Sequence, residues 1–490
     1  MNKLCLWVVS SALCLAGCKK RDDYYQAESQ DMTRTLLEEI SQHPNLSNFY
    51  ELLKKTGLDK ELASSKTYTV WAPTNEALGV VDAAILADSA RLRQFIANHI
   101  SYQAFFTRNA QTAVRVPMLN GKRVVFQHTK FDEATIVEKD RYVGNGVLQV
   151  IDKKAPVYPN AWELVNRGSD DQSKFILSLT RKVFDATNAI VDSISQTGRP
   201  IYRPGTDSVL RNSFNTEVYD LQNEEKQYTY FILDNSAFQA ESAKLNPYFK
   251  TSTTDSTNAL ASFAVAKDLI VEGVYTQDQL PAVLTSKFGV KIPIDKSQIA
   301  ASEKLSNGIA YVIRGINFDV KDKIPTVVVQ GENYRGFFDL NGNPVTPRQN
   351  NVSAIFTRYR ATPSGTPFID MFAYNHGITG LSALYRTGNL ASVKYKVYWH
   401  APNDTLSVNG TIAPAVFNQR LAMGTFGTNF LPDATGKAVA VNNYSEVYIG
   451  DWVQSSFGPL NMWLAAPAAT TGQPAGVRLN LDYIKLVPEL

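Results

Sequence analysis

Residues 68–77 of this 490-residue chain read Tyr-Thr-Val-Trp-Ala-Pro-Thr-Asn-Glu-Ala. From Lys66 to Ala72 the residues alternate in the way that predicts a buried β-strand. Thr74 or Asn75 follows where a helix N-cap is needed, and either side chain can accept a hydrogen bond from the first turn of a helix. The stretch therefore predicts a strand that passes directly into a helix.

Helical periodicity predominates on both sides of this strand. Apolar residues recur at intervals of three and four, as amphipathic helices require. Before the strand they are Leu36, Leu37, Ile40, Phe49, Leu52, Leu53, Leu58 and Leu62, and after it Leu92, Phe95 and Ile96, with His99 on the same predicted helix.

Strand signals return further along the chain. Asn120-Gly121 lies inside the run 118–126, and this dipeptide is the strongest short signal for a hairpin turn. A last strand is predicted within 144–152. Helices and strands in one block indicate an α+β domain.

Four segments of this block occur in a characteristic order. They are residues 68–77, Asn98-His99-Ile100, Leu119-Asn120-Gly121-Lys122 and the run 145–152, Asn-Gly-Val-Leu-Gln-Val-Ile-Asp. Together they resemble the fasciclin-type (FAS1) adhesion domain. The resemblance implies that residues 33–160 form a compact β-sandwich wedge with packed helices, and that this domain serves binding rather than catalysis.

A second, diverged fasciclin-like copy is predicted at residues 170–322. Residues 228–238 repeat the layout that begins at Tyr68, and residues 306–313 parallel those from Asn145. Internal repetition of this kind is a signal about the fold as a whole.

The opening helix of the second copy is predicted to run from Phe175 through Phe184 to Ile190. The second copy departs from the first at three places. Ile232-Leu233-Asp234 replaces Ala72-Pro73-Thr74. No histidine stands at the place of His99, which removes any role that needs one. The insertion from Thr197 to Asn215 is unlike the family.

From residue 326 to residue 490 short strand-like runs alternate with Gly and Pro turns. This pattern predicts an all-β sandwich. The last run, 477–488, resembles the final strand of jelly-roll carbohydrate-binding modules. The predicted strands are 351–360, 393–400, 445–453, 460–465 and 478–486.

Aromatic residues of this last domain occupy different faces of the predicted strands. Trp399 shares the parity of the apolar residues and is expected in the core. Trp452 and Trp463 oppose the apolar residues of their strands, and Tyr448 shares the face of Trp452. Aromatic rings on a solvated face can stack on sugar rings. We therefore predict a glycan site at Tyr448, Trp452 and Trp463, the alternative being a second cluster beneath a long loop.

The start of the chain predicts a lipid anchor. Lys3 precedes an apolar run from Leu4 to Leu15, which is too short to span a bilayer, and Leu-Ala-Gly-Cys closes it at 15–18. The segment resembles the lipobox of bacterial lipoproteins, which implies that Cys18 is diacylated and that residues 1–18 are the signal peptide. The alternative is a chance cysteine near an ordinary cleavage site.

Residues 19–32 are predicted to be a tether. Lys19 directly follows the lipid-bearing cysteine, as in lipoproteins that are sent to the outer membrane, which the chain resembles here. The cluster 19–23 resembles the surface-export signal of Bacteroidetes lipoproteins. The alternative is that this cluster is a solvated linker. We expect an outer-membrane protein at the cell surface.

Cys5 and Cys14 lie in the signal peptide, so the mature chain can form no internal disulfide.

Composition and motifs give no support to nucleic-acid binding or catalysis. The chain has 49 Lys and Arg against 46 Asp and Glu, a net charge of +3, which is no nucleic-acid footprint. It contains no nucleotide-binding glycine loop and no nucleophile elbow. The histidines, none with metal-site spacing, are His43, His99, His128, His376 and His400. We expect no enzyme, no cofactor and no metal site.

His99 has two interpretations. Its apolar surroundings favour a hydrogen-bonded core histidine. The fasciclin resemblance instead implies a ligand-binding role, because a Tyr-His pair near this place is linked to integrin binding in the family. Asn98 stands here in place of the Tyr.

These observations predict a non-catalytic surface lipoprotein. Its ligand is either a glycan, as in a glycan-uptake system, or a protein of the envelope or of another cell. A glycosidase in the last domain is a third alternative, but no local pattern singles out a pair of carboxylates. The candidates are Asp404, Glu446, Asp451 and Asp482.

Overall fold

The structure is a computed structural model. It describes residues 32–64, 66–79, 81–346, 354–374, 376, 378–404, 406–407, 411–412, 414–467 and 478–490. Cys18, with the rest of residues 1–31, lies outside this part of the chain. Within the described residues, no helix is long and apolar enough to cross a membrane.

The described helices all precede residue 324. They are α1 (Leu36–Gln42), α2 (Ser47–Thr56), α3 (Leu58–Leu62), α4 (Asn75–Leu78), α5 (Ala83–Ala87), α6 (Ser89–Ala97), α7 (Ala161–Arg167), α8 (Asp171–Ser178), α9 (Ser213–Glu217), α10 (Asn235–Leu245), α11 (Thr254–Ala266) and α12 (Val320–Lys323).

Strands occur throughout the described chain. Those before residue 320 are β1 (Tyr68–Pro73), β2 (Ile100–Ser101), β3 (Val114–Pro117), β4 (Arg123–Gln127), β5 (Lys130–Phe131), β6 (Ala134–Val143), β7 (Gly146–Ile151), β8 (Thr180–Phe184), β9 (Val191–Ile194), β10 (Pro200–Tyr202), β11 (Ser208–Asn212), β12 (Tyr228–Leu233), β13 (Ile270–Glu272), β14 (Val283–Thr285), β15 (Lys291–Pro293), β16 (Ile299–Leu305) and β17 (Gly308–Ile313).

The remaining strands form the C-terminal part. They are β18 (Val327–Gln330), β19 (Gly336–Phe338), β20 (Pro344–Val345), β21 (Ala354–Ala361), β22 (Pro367–Tyr374), β23 (Ser382–Leu390), β24 (Lys394–His400), β25 (Leu406–Ser407), β26 (Thr411–Ile412), β27 (Phe417–Met423), β28 (Phe430–Leu431), β29 (Lys437–Val439), β30 (Val447–Val453), β31 (Gly458–Ala465), β32 (Arg478–Leu481) and β33 (Tyr483–Glu489).

Strand β1 is the centre of the N-terminal unit. It pairs in parallel with β7 and antiparallel with β2, in a seven-stranded sheet of order β2-β1-β7-β6-β5-β4-β3. The strand is buried, as predicted, and this holds for all six of its residues. Tyr68 and Val70 pack against the helices. Trp71 packs in a second cluster, where its ring stacks on Phe131 at a centroid distance of 4.4 Å. Core side chains therefore cover both faces of the strand.

The residues after β1 make the predicted turn into a helix. Thr74 is the N-cap of α4, and its hydroxyl accepts a hydrogen bond from the Ala77 backbone N–H at 3.0 Å. Asn75 is already helical, and its side-chain oxygen accepts from the Asn48 N–H at 2.9 Å. Thr74 is thus the cap, while Asn75 ties α4 to α2.

An Asn-Gly corner at the start of β7 fixes where the first helix begins. Asn145 Oδ1 accepts from the Leu36 N–H, and Asn145 Nδ2 donates to the Leu62 carbonyl, each at 2.7 Å. Gly146 pairs with Tyr68, and a Cβ at Gly146 would lie 2.0 Å from the Tyr68 carbonyl oxygen. No side chain fits at this position without movement of β1.

The second unit repeats this corner. β12 pairs in parallel with β17, with Tyr228 opposite Gly308, in the register of β1 and β7. Asn307 Oδ1 accepts from the N–H of Ala161, the first residue of α7, at 2.9 Å. A Cβ at Gly308 would lie 1.9 Å from the Tyr228 carbonyl oxygen. The two units therefore share one register and one set of backbone contacts.

The opening helix of the second unit ends earlier than predicted. α8 ends at Ser178, and Phe184 lies in β8 with 57% of its surface exposed. β8 pairs with β11, and β9 pairs with β10. Pairing with strands distant in sequence decides the conformation here, and local apolar spacing does not contain that information.

The C-terminal part is an all-β sandwich, as predicted, and the chain as a whole has the predicted α+β fold class. The sheet β18-β33-β24-β30 and the sheet β20-β19-β23-β31-β27-β28 contribute to one hydrophobic cluster. Trp399 belongs to this cluster and is 1% exposed, as predicted. The predicted strand 478–486 is interrupted at Asp482, whose carboxylate lies 2.6 Å from His400 Nδ1.

His99 is a core residue. The predicted helix included it, but α6 ends at Ala97, so His99 lies just after the helix. Its Nε2 accepts from the Ala155 N–H at 3.0 Å, so the proton is on Nδ1, which donates to the Phe95 carbonyl at 3.0 Å. Burial lowers the pKa of His99 to about 4, against the opposing effect of the Phe95 bond. The ring is therefore neutral at neutral pH.

Replacing Gly146 by Ala is expected to destabilise the N-terminal unit by about 3 kcal/mol or more, because the new Cβ overlaps the β1 backbone. Gly121→Ala is the matched control. Gly121 has a φ of 82° but no atom within 4 Å of a built Cβ, so its cost is about 1 kcal/mol of backbone strain. Hydrogen exchange of β1 amides in the intact protein measures both changes. Equal destabilisation by the two substitutions would contradict the assignment.

Acidification is expected to destabilise the same unit. The unfolded chain binds a proton at His99 near pH 6.5, whereas the folded unit does so only near pH 4. The contribution of His99 to stability is therefore complete above about pH 6.5 and is lost as the pH falls towards 4. Hydrogen exchange of β1 and β7 amides, corrected for intrinsic rates, should show this loss, and His99→Gln should reduce its pH dependence. An unchanged pH dependence in the variant would count against this origin.

Candidate functional site

Trp463 lies on the outer face of β31, as predicted. Leu460, Met462 and Leu464 of this strand belong to the core cluster, and Trp463 alternates with them. The ring is only 9% exposed, because Phe426 packs edge-on against it at a centroid distance of 5.8 Å. Phe426 comes from the segment between β27 and β28, so a loop covers most of the tryptophan, which matches the alternative of a cluster beneath a loop rather than a ring on a solvated face.

A cavity of about 300 Å³ lies beside Trp463, and we call it the Trp463 pocket. This volume is at the lower end of the range for small-ligand sites, roughly 300–1,000 Å³. Its lining residues are Leu340, Gly380, Ser382, Arg420, Ala422, Phe426, Gly427, Phe430, Trp463, Ala465 and Ala466.

Three neighbouring strands place the polar side chains of this pocket. β23 and β27 flank β31 on either side. Ser382 of β23 and Arg420 of β27 both lie opposite Ala465, and Ala422 lies opposite Trp463. Because directly opposed residues share a face of the sheet, all of them project to the outer side.

Arg420 gives the pocket a positive charge. Its guanidinium lies 3.7 Å from the centroid of the Phe430 ring and donates to the Ala434 carbonyl. Burial lowers the pKa of Arg420, and the charge of Asp433 opposes that effect. The side chain remains a cation at neutral pH. Its Nε is buried without a hydrogen-bond partner.

Ser382 provides a second unsatisfied group. The residue is 1% exposed, and its Oγ has no hydrogen-bond partner. Leaving a buried polar atom unpaired costs roughly 1–3 kcal/mol. The wall of the Trp463 pocket thus combines aromatic rings with two polar groups, at Arg420 and Ser382, that a bound molecule could satisfy.

Trp452 lies on the core face of its strand, which corrects the prediction. Trp452 stands opposite Tyr395, and Val447 stands opposite Trp399, both partners being core residues. One extra residue, Ile449, occupies β30 between these pairs and reverses the parity. Trp452 packs against the core cluster, and only part of it is accessible.

Tyr448 does face outward and is 42% exposed. Its hydroxyl donates to Asp451 at 2.6 Å, and this hydrogen bond raises the pKa of Tyr448. Tyr448 belongs to the sheet of β30, however, and Trp463 to the sheet of β31. The structure therefore does not bring the three predicted aromatic residues into one site.

His99 takes no part in the Trp463 pocket. His99 is fully buried in the N-terminal unit, so the structure gives it no surface with which to contact a ligand. Cys18 lies outside the described residues. Arg420, Ser382, Phe426 and Phe430 were not among the predicted residues. The sequence did contain a signal for Arg420. Leu421 and Met423 are core residues of the same strand, so Arg420, which alternates with them, lies on the outer face.

The four candidate carboxylates of the last domain are each engaged by a basic side chain. The pairs are Asp404 with Arg360, Glu446 with Lys485, Asp451 with Lys394 and Asp482 with His400. Among the described residues, no group of three His, Cys, Asp or Glu side chains is arranged to hold a metal ion.

Comparison with solved structures gives several similarities. A FAS1 domain pair from the insect cell adhesion molecule Fasciclin I is 18% identical, with a TM-score of 0.23, and the match covers 57% of this chain and 99% of that one. A family 35 carbohydrate-binding module from Clostridium thermocellum is 15% identical, with a TM-score of 0.19, covering 34% of this chain and 99% of the module.

A third similar structure is the GH26-CBM35 β-(1,4)-mannanase of Podospora anserina. It is 9% identical, with a TM-score of 0.20, and the match covers 34% of this chain and 28% of the mannanase. No curated protein matches the chain. The model of the fasciclin domain family matches residues 44–154, and this part of the chain is therefore a fasciclin domain.

Proposed function

We propose that the protein is a lipid-anchored, non-catalytic binding protein of the outer membrane, exposed at the cell surface, and that its sandwich binds a glycan in the Trp463 pocket. The observation that carries the proposal is the composition of that pocket. Trp463, Phe426 and Phe430 supply aromatic surface. Arg420 Nε and Ser382 Oγ lie in the same wall without partners.

A sugar ring suits this combination of groups. One side of a pyranose carries C–H groups that stack on an aromatic ring, while its hydroxyls need donors and acceptors at the edge. Arg420 can only donate, whereas the Ser382 hydroxyl can donate or accept. The cavity of about 300 Å³ favours recognition of one ring or a chain end.

The anchor is proposed from the sequence alone. Leu15 to Cys18 closes a short apolar run, as in the lipobox of bacterial lipoproteins, and the cluster 19–23 resembles the surface-export signal of Bacteroidetes lipoproteins. Two acyl chains hold a protein on a membrane where one chain is marginal. A tethered module that captures glycan would serve a glycan-uptake system.

Protein adhesion is the second candidate function. It is favoured by the fasciclin domain at residues 44–154, which is an adhesion-type domain. The protein partner would lie in the envelope or on another cell.

Removing an aromatic or polar group of the pocket is expected to weaken glycan binding about tenfold or more, the usual effect of a central anchor. Trp463→Ala and Arg420→Gln test the two kinds of contact, with ligands first found on a glycan array. Tyr448→Ala is the matched control, because Tyr448 is exposed on the other sheet. Calorimetry measures the affinities and melting temperatures verify the fold. Loss of affinity in Tyr448→Ala alone would move the site to β30, and no glycan bound by the intact protein would leave adhesion as the function.

Replacing Cys18 by Ala is expected to abolish lipidation. The variant should keep its signal peptide or be released, since no acyl chain then holds it. Detergent-phase partitioning and the mass of the mature N-terminus measure this outcome, with Cys14→Ala as the control. A Cys18→Ala variant that partitions and migrates like the unaltered protein would exclude a lipoprotein anchor at this residue.

A further inference from the structure

The second unit contains a groove between three helices that plays no part in the proposed function. Side chains of α8, α10 and α11 enclose about 530 Å³, which is within the range of small-ligand sites. On α8 the contributing residues include Asp171, Lys174 and Ser178, whose spacing of three and four puts them on one face. We call this cavity the helical groove.

The helical groove has no net charge to offer a ligand. Lys174 Nζ lies 3.7 Å from Asp171, and the same carboxylate accepts from Gln239 Nε2 at 2.6 Å. The other lining side chains are neutral. An ionic ligand would therefore find no uncompensated partner in this groove.

Its walls do contain unsatisfied polar groups. Ser242 of α10 is 8% exposed, and its Oγ is buried without a partner. Asn246 Oδ1, just beyond the same helix, is also buried and unpaired. Asn258 and Ser262, one turn apart on α11, line the groove as well.

An aromatic ring lies beside these polar groups. Phe175 is half-buried and packs on Phe238 at a centroid distance of 6.3 Å. Its accessible part forms an apolar patch on the groove wall. Hydroxyl and amide groups can both donate and accept, which matches a ligand rich in hydroxyls, and the ring matches a C–H face.

The helix that follows the central strand differs in length between the two units. The helix after its central strand, α4, has four residues, whereas α10, which follows β12, has eleven. Gln239 and Ser242 therefore lie on the part of α10 that extends beyond the length of α4. The groove is a property of the second unit, although the two units share their strand register.

We propose that the helical groove is a second ligand site, which takes a neutral sugar and is independent of the Trp463 pocket. The charge balance excludes recognition by ion pairing. The hydroxyl and amide groups of the groove can hydrogen-bond to the hydroxyls of a sugar, and the Phe175 ring can contact its C–H face.

Two substitutions on α10 test the site in the full-length protein. Ala243 and Ala240 are both exposed, but only Ala243 lines the groove. Ala243→Trp fills the groove, and Ala240→Trp places the same side chain outside it. The probes are neutral oligosaccharides of glucose, mannose, xylose and galactose, followed by saturation-transfer NMR and calorimetry. At least one probe should bind, and its affinity should fall about tenfold or more in Ala243→Trp only.

Several outcomes would overturn the proposal. They are no saturable binding of any probe, equal losses in the two tryptophan variants, or a loss that follows Trp463→Ala instead. In the last case the sugar occupies the Trp463 pocket, so failure of this site and failure of the proposed function are distinguishable. If Ala243→Trp does not fold, the double variant Asn258→Ala, Ser262→Ala carries the same test, because neither side chain supports the core.

Discussion

The close approach of two backbones at Gly146 and Gly308 is the constraint on which both helix-bearing units depend. At each glycine the neighbouring strand carbonyl would lie about 2 Å from a Cβ, so the parallel pair forms only because the side chain is missing. The residue before each glycine is Asn145 or Asn307. Its side-chain oxygen accepts a hydrogen bond from the first backbone N–H of the unit's first helix. One dipeptide thus positions the central strand pair and the helix that covers it.

The same central strand shows why burial differs from a simple amphipathic pattern. β1 has a parallel partner on one side, an antiparallel partner on the other, and core clusters on both faces. A strand in that position loses its solvated face, so alternation of residue types no longer reports exposure. Thr69 remains buried there because its hydroxyl donates to the Gln103 carbonyl.

Ligand recognition, in contrast, depends on surfaces that the core leaves open. The Trp463 pocket lies on the outer face of a sheet, and the helical groove lies where α10 extends beyond the length of α4. Both combine an aromatic ring with buried polar atoms that lack partners. A buried polar atom without a partner lowers the stability of a folded protein, so such atoms are rare. They therefore indicate a candidate ligand site more specifically than exposed charges do.

The sequence by itself determined the α+β class, the passage from strand β1 into a helix, the all-β last part and the core place of Trp399, because these follow from local periodicity and turn residues. It also limited the helix cap to Thr74 or Asn75 and predicted Trp463 as an outward aromatic residue. Only the tertiary structure decided the rest. The extra residue Ile449 turned Trp452 to the core, distant strand pairing replaced the helix expected at Phe184, and β23, β27 and β31 together assembled Ser382, Arg420 and Trp463. Register and bulges are set by contacts between residues far apart in the chain, and no local pattern encodes them.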